Sequence, residues 1–351
     1  MAKITEDYIK QTDQSGMWDL VKSFPDHWKE IMEQTADKAF CGLDKSKIQN
    51  ICLAGMGGSA IGADLMRAYL YKNAPVPIQV VRHYDIPSWV GENTLFIACS
   101  FSGNTEETLS ALNQATEQGA QRFAVTSGGE LLKRATNENF DYIKIPGGMP
   151  PRAALAYSFV PLYRLFDYLG FVDEGVGALQ ETFDYLNSQI PHLDNIEQNE
   201  ALDIAEAIKD TLPVIYADSL MLDPVHLRWR GQLEENAKTL AYGNVLPEMN
   251  HNEIVGWEKI AHLTGRLTVI MLRDQEDNSR VQRRMEITRE LVGDKTVNLK
   301  VIETRGKSRL TRLFSLIQLA DWTSIYLAML TGTDPTPIAR IDLLKSKLAE
   351  V

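Results

Sequence analysis

The sequence predicts an α/β fold of two doubly wound parallel-sheet domains flanked by helices, and three observations carry the prediction. Short apolar runs alternate with amphipathic stretches between residues 48 and 148. The alternation restarts between 211 and 304. A charged helical stretch, about 173–210, separates the two series and suits a domain boundary. Strands and helices in such alternation build parallel sheets with crossover helices on their faces. The expected domains are residues 1–170 and 171–351.

Taken in order, residues 1–48 read as helical, since "SGMWDLVKSFPDHWKEIMEQ" spaces its apolar residues at helical intervals, with Pro25 as a break. "IQNICLAGM" (48–56) is a strand that leads through a glycine turn into the helix "AIGADLMRAYLYK". "VPIQVVRHY" (76–84) and "TLFIACS" (94–100) are further strands, the second running into the helix "TEETLSALNQATEQG". "RFAVTSGG" (122–129) and "DYIKIPGG" (141–148) complete the first set, and "PPRAALAYSFVPLYRLFDYLG" (150–170) is a long apolar helix. In the second half the strands are "TLPVIYAD" (211–218), "RLTVIMLRD" (266–274) and "VNLKVIET" (297–304), with helices around 224–240, 277–293 and 308–331. A short amphipathic helix, "TPIARIDLLKSKLAEV", ends the chain, and the halves share no residue-level repeat.

At 351 residues, 44% hydrophobic and 24% charged, with Gly 23 and Pro 14 placed as punctuation, the composition is that of an ordinary globular protein. The net charge of −11 argues against a nucleic-acid or anionic-membrane partner, because phosphate backbones are held by clustered Lys and Arg. One pocket can still be locally positive and take a small anion. Cys41, Cys52 and Cys99 share no metal-ligand spacing, which fits a reduced, cytoplasmic setting. The opening "MAKITEDYIK" has no apolar core of a signal sequence, and no unbroken run of about 18 apolar residues marks a membrane span.

Two glycine and hydroxyl turns, "GMGGSAIG" (55–62) and "SFSGNTEE" (100–107), stand at the carboxyl ends of predicted strands. Ligands of open α/β sheets bind there, outside the strand ends. Each turn opens a helix, whose first N–H groups lack internal partners and carry the positive end of the dipole. Ser59, Ser100, Ser102 and Thr105 add neutral O–H donors, while Gly57, Gly58 and Gly103 let backbone approach a ligand. A phosphate dianion suits such a cradle. The plain alternative for a Ser or Thr before a helix is an N-cap. A dinucleotide is the competing ligand, but the acid it needs after the second strand is represented only by Asp85, in ordinary loop chemistry.

The pair "GMGGSA" and "SFSGNTEETL" resembles the sugar isomerase (SIS) domain, which binds phosphosugars by Ser/Thr loops and occurs in enzymes and in regulators. "PGGMPPRAAL" (146–155), "RWRGQLEENAK" (228–238), "VLPEMNHNEIVGWE" (245–258) and "IDLLKSKL" add a similarity to the bifunctional phosphoglucose/phosphomannose isomerase family, from about residue 50 to the end. That resemblance implies interconversion of glucose 6-phosphate, and mannose 6-phosphate, with fructose 6-phosphate through a cis-enediol. It puts the proton-transferring carboxylate on Glu235, with Glu234 as the alternative, since neighbours on a helix point about 100° apart. It gives ring opening to His251, contributed to the neighbouring subunit's site, which implies a homodimer. Lys345, or Lys347 close by, is the third catalytic candidate. Gly58, Ser59, Ser100, Ser102 and Thr105 are the expected phosphate holders, and Arg152 is the expected electrostatic partner of the developing enediolate oxygen. Alone, each has a plainer reading: a solvated carboxylate, a turn histidine, a surface ion pair. The resemblance implies no metal and no other cofactor, and "HNE" at 251–253 is an isolated tripeptide. The rival readings are a non-catalytic sugar-phosphate-sensing regulator and another phosphosugar isomerase on the same fold.

Overall fold

In the computed structural model, which describes residues 4–260, 262–263, 265–348 and 350, both expected sheets are present and parallel throughout. Helices α1 (Glu6–Thr12), α2 (Met17–Lys22) and α3 (Phe24–Gln34) come first. Pro25 sits in the first turn of α3, where its missing N–H has no helical partner to lose, so the expected break is the start of a new helix. Beyond Gln34 the chain is turn and loop apart from a 3₁₀ turn at Lys45–Lys47, and the helix expected up to residue 48 stops short.

The first sheet follows as β1 (Asn50–Ala54), α4 (Gly57–Tyr69), β2 (Ile78–Val81), β3 (Thr94–Ser100), α5 (Glu106–Glu117), β4 (Gln121–Thr126), α6 (Gly129–Asn137), β5 (Asp141–Lys144) and α7 (Leu155–Leu169). Its spatial order is β2-β1-β3-β4-β5, with Ile51 opposite Leu95 and Ala54 opposite Ala98. Cys52, Phe96 and Ala124 pack on one face with Leu112 and Ala115 of α5 and Leu131 of α6. Alternation sends the equally buried Ile51, Leu53, Ile97 and Phe123 to the other face. Burial on both faces explains why these strands read as continuous apolar runs. Gly62 lets α4 approach α7 closely, for a Cβ there would stand 2.8 Å from the Ser158 hydroxyl.

The second series runs α8 (Gly177–Leu193), α9 (Glu200–Ile208), β6 (Leu212–Asp218), α10 (Asp223–Asn236), β7 (Tyr242–Leu246), α11 (Glu253–Gly256), β8 (Leu267–Arg273), α12 (Ser279–Val292), β9 (Asn298–Glu303), α13 (Arg309–Leu330) and α14 (Ala339–Leu348). The order is β7-β6-β8-β9. Strand β7 has no counterpart among the sequence expectations. It is a half-exposed edge strand whose Gly243 and Asn244 break any alternation, and Gly243 is there because a Cβ would meet the Ile215 carbonyl and the Arg230 side chain at 2.8 Å. Helix α13 is, among the described residues, long and apolar enough to cross a membrane, yet 94% of its apolar window is buried within the protein, which is how a core helix looks.

Compactness divides the chain elsewhere than at residue 170. One unit holds Ser23–Asn187 and Gly306–Thr311, the other Met1–Lys22, Ser188–Arg305 and Arg312–Val351. The N-terminal segment, expected with the first sheet, thus packs in the unit of the second. Trp18 stands edge-on to Trp322 and Tyr326, and the Tyr8 hydroxyl donates to the Met329 carbonyl at 3.0 Å. Those partners lie some three hundred residues away, beyond the reach of local patterning.

Candidate active site

In the first sheet the winding reverses between β1 and β3, and the two hydroxyl loops leave the sheet side by side at that point. The Ser59 hydroxyl accepts the Phe101 N–H at 3.0 Å, joining the loops. Ser100 Oγ accepts the Gly103 N–H at 3.0 Å and lies 2.8 Å from Thr105 Oγ1, while Ser102 Oγ accepts the Asn104 N–H at 3.2 Å. Thr105 is the N-cap of α5 but makes no capping bond with its side chain, and Met56 at the start of α4 has none to make. The N-cap alternative therefore fails for these hydroxyls. A hydroxyl that accepts an N–H keeps its own proton to give. Ser59 and Ser102 each have one to offer, and the Ser100–Thr105 pair has one beyond the bond they share.

The loop is rigid for identifiable reasons. Gly103 has φ +72°, and a Cβ on it would fall 1.8 Å from the Gly128 carbonyl. Asn104 Oδ1 accepts the Glu130 N–H at 3.0 Å, so the loop caps α6 as well as opening α5. "TSGG" at 126–129, which had read only as the end of a strand, supplies this third wall. Burial pushes the thiol of Cys99 up to about 12, so no thiolate competes with an anion beside Ser100.

Gly58 has a different neighbour from the one expected. A Cβ there would lie 2.7 Å from the Pro151 carbonyl, so the space it leaves is filled by the 3₁₀ turn Pro151–Ala153. That turn carries Arg152, which is only 4% exposed and so no surface ion-pair residue. The structure thus gathers Gly58, Ser59, Ser100, Ser102, Thr105 and the Arg152 turn into one cluster at the ends of β1 and β3.

Glu235, His251 and Lys345 stand on three elements of the other unit. Glu235 is half-buried in the last turn of α10. Three α10 side chains four residues apart face α13: Arg228 Nη2 donates to Asp321 at 2.6 Å, Gln232 to Asp321 at 2.8 Å, and Asn236 to the Ser324 hydroxyl at 2.9 Å. At 100° per residue, Glu234 lies about 160° round the helix from Asn236 and Glu235 about 100°. His251 is exposed at the end of the 3₁₀ turn Glu248–His251. Two residues on, Glu253 accepts from the hydroxyls of Tyr216 and Tyr242 and, at 2.6 Å, from Asn244, while Trp257 Nε1 donates to Tyr216 at 3.0 Å. This network pins the His251 segment to β6 and β7; the sequence offered only the acid in "NHNE" as its signal. Lys345 and Lys347 are exposed on α14, a helix with no buried residue.

Known proteins add the affiliation. Residues 44–167 match the model of the SIS domain, and residues 197–348 match that of the bacterial phospho-glucose isomerase C-terminal SIS domain. Two parallel α/β units, one with paired hydroxyl loops, make this a protein of the SIS class. The C-terminal domain of glucosamine-fructose-6-phosphate aminotransferase from Francisella tularensis shares the fold, with a TM-score of 0.72 at 15% identity over 92% of this chain and 98% of that one. Two bifunctional phosphoglucose/phosphomannose isomerases are similar along their length: that of Caldicellulosiruptor bescii is 43% identical over 95% of this chain and 99% of its own, that of Aquifex aeolicus 34% over 87% and 92%. The chain belongs to the bifunctional phosphoglucose/phosphomannose isomerase family.

Proposed function

We propose that the protein is an isomerase that interconverts glucose 6-phosphate, and mannose 6-phosphate, with fructose 6-phosphate through a cis-enediol. The observation that carries this reading is the 43% identity, over 95% of the chain, to an enzyme named for both activities. The loop geometry supports the binding half. Spare protons on Ser59, Ser102 and the Ser100–Thr105 pair, beside the start of α4 and α5, suit a phosphate dianion, and the backbone at Gly58 completes the cradle. Arg152, buried on its turn, balances charge on the enediolate oxygen.

Glu235 removes a proton from one of C1 and C2 and returns it to the other on the same face, while the hydroxyl proton passes between O2 and O1, so that the cis-enediol closes to the other carbonyl. Glu234 stays the alternative, since both carboxylates are half-buried in the last turn of α10. His251 carries a proton between O5 and O1 to open the ring, in the site of a second copy of the chain, and Lys345 assists at the ring oxygen, with Lys347 the alternative. The exposure of His251, together with exposed Val255, Leu343, Leu344 and Leu348, suits a homodimer in which those apolar groups are covered. The reaction as written needs no metal, and among the described residues no three His, Cys, Asp or Glu side chains group as ligands would. A cytoplasmic setting fits the free cysteines Cys41, Cys52 and Cys99.

The test is a coupled assay on purified protein supplied with fructose 6-phosphate, reading glucose 6-phosphate and mannose 6-phosphate separately, with and without chelator, and sedimentation of the same sample. Both products should form at rates the chelator leaves unchanged, from a species of twice the chain mass. Binding without turnover would make the protein a sugar-phosphate sensor, and activity lost to chelator would overturn the metal-free mechanism.

A further inference from the structure

Lys238 follows the last turn of α10 in a backbone conformation that a lysine rarely takes, with φ +56°. Glycine is the usual residue in a left-handed position just past a helix, because a Cβ crowds the following carbonyl. The other described non-glycine residues with positive φ are Asn139 and Asp210, whose short polar side chains tolerate it. The turn does need the conformation, since it returns the Thr239 N–H to the Leu233 carbonyl at 3.1 Å. Glycine would do that with less strain.

What the lysine adds is its ammonium. Nζ donates to the main-chain carbonyl of Glu235 at 2.5 Å and to the carbonyl of Pro335 at 3.1 Å. Helix α10 has no basic residue in its own last turn, so this ammonium is the cation at the negative end of its dipole. The same group ties that turn to the turn at 334–336, where the Thr336 N–H donates to Asp334 at 3.1 Å, ahead of α14. Terminal turns fray, and a proton-transferring group displaced by about 1 Å loses much of its rate. Backbone strain kept beside such a group is the kind that persists for function.

We infer that Lys238 is a positioning residue for Glu235: its ammonium clamps the backbone of that residue, so that the carboxylate keeps one approach to the sugar carbons. The inference rests on Glu235 being the base. Lys238→Gly removes the ammonium and relieves the strained φ together. Its melting temperature should hold or rise by about 1–3 °C, while kcat for fructose 6-phosphate falls about tenfold and KM stays within about threefold. Lys238→Arg, which keeps a cation on a long stem, should recover kcat to within about threefold of the parent. A merely structural lysine predicts the opposite pattern, with stability and activity falling together in the glycine variant. That pattern, a glycine variant with undiminished kcat, or an arginine variant as slow as the glycine one, overturns the inference. Glu235→Gln is assayed beside them. If it is inactive while Lys238→Gly is not slowed, the inference alone fails; if it keeps full activity, the base assignment fails and takes the inference with it.

Discussion

The two sheets wind in the same way, yet their crevices are chemically opposite. In the first, β1 and β3 lie side by side at the reversal, and their ends carry glycine, hydroxyls and helix starts without a single carboxylate among the loop groups Gly58, Ser59, Ser100, Ser102 and Thr105. In the second, the corresponding strand β6 ends at Asp218 and β8 is followed at once by Asp274, and both acids are buried. Arg312 fills that crevice from within: Nε donates to Asp274 at 2.8 Å and Nη2 to Glu276 at 2.6 Å, with the Arg312 side chain 3% exposed. Thr304 adds a bond to Asp274 at 2.6 Å. An anion finds donors in the first crevice; in the second it meets carboxylates whose cation is already taken. Topology offers a crevice, and the side chains at the strand ends decide whether it is a site or a closed joint.

The contrast can be broken from either side. The largest effect should come from Arg312→Met, which leaves Asp274 buried without its cation and should cost about 3–5 kcal/mol of stability in denaturant unfolding. KM for fructose 6-phosphate should be unchanged in the protein that stays folded. Ser102→Asp does the reverse, carrying the acidity of the second crevice into the exposed rim of the first. It should raise KM about a hundredfold by repelling the phosphate while the melting temperature moves by no more than about 2 °C; a KM within threefold would separate the loop from the phosphate.

The smallest effect is a pH dependence. Burial, with the charges of Asp218 and Asp274 adding to it, pushes the Asp277 carboxyl up from 3.8 to about 7. The folded protein therefore holds this proton more tightly than the unfolded chain. The stabilisation is complete below pH 3.8 and is lost progressively as pH rises to about 7. Asp277→Asn should be more stable than the parent by about 1–2 kcal/mol above pH 7, after allowance for solvent screening, with the difference shrinking toward pH 4. A constant difference across that range would remove Asp277 as its source.

Legibility followed burial. Strands such as β3, buried on both faces, announce themselves as "TLFIACS", and both hydroxyl loops were readable because glycine and serine cluster at strand ends for few reasons. Strand β7 was not readable, since an edge strand with Gly243 at its close approach to α10 carries no alternation. Nor was the third wall of the loop cluster: "TSGG" looks like a strand end until Asn104 is seen capping α6. Glu235 and His251 are ordinary residue types in ordinary surroundings, and only whole-motif similarity singled them out.

By itself the sequence determined the α/β class, the parallel sheets and the glycine and hydroxyl loops at the strand ends, because periodicity and glycine placement are local and act through backbone geometry. Tertiary structure alone decided that α1 and α2 pack in the unit of the second sheet, that Gly58 makes room for the Arg152 turn, which loop hydroxyls keep a proton to give, and that Lys238 is bent into a left-handed turn to reach the carbonyl of Glu235. Those outcomes depend on which distant groups arrive within about 3 Å of each other, and that is a property of packing, not of neighbours along the chain.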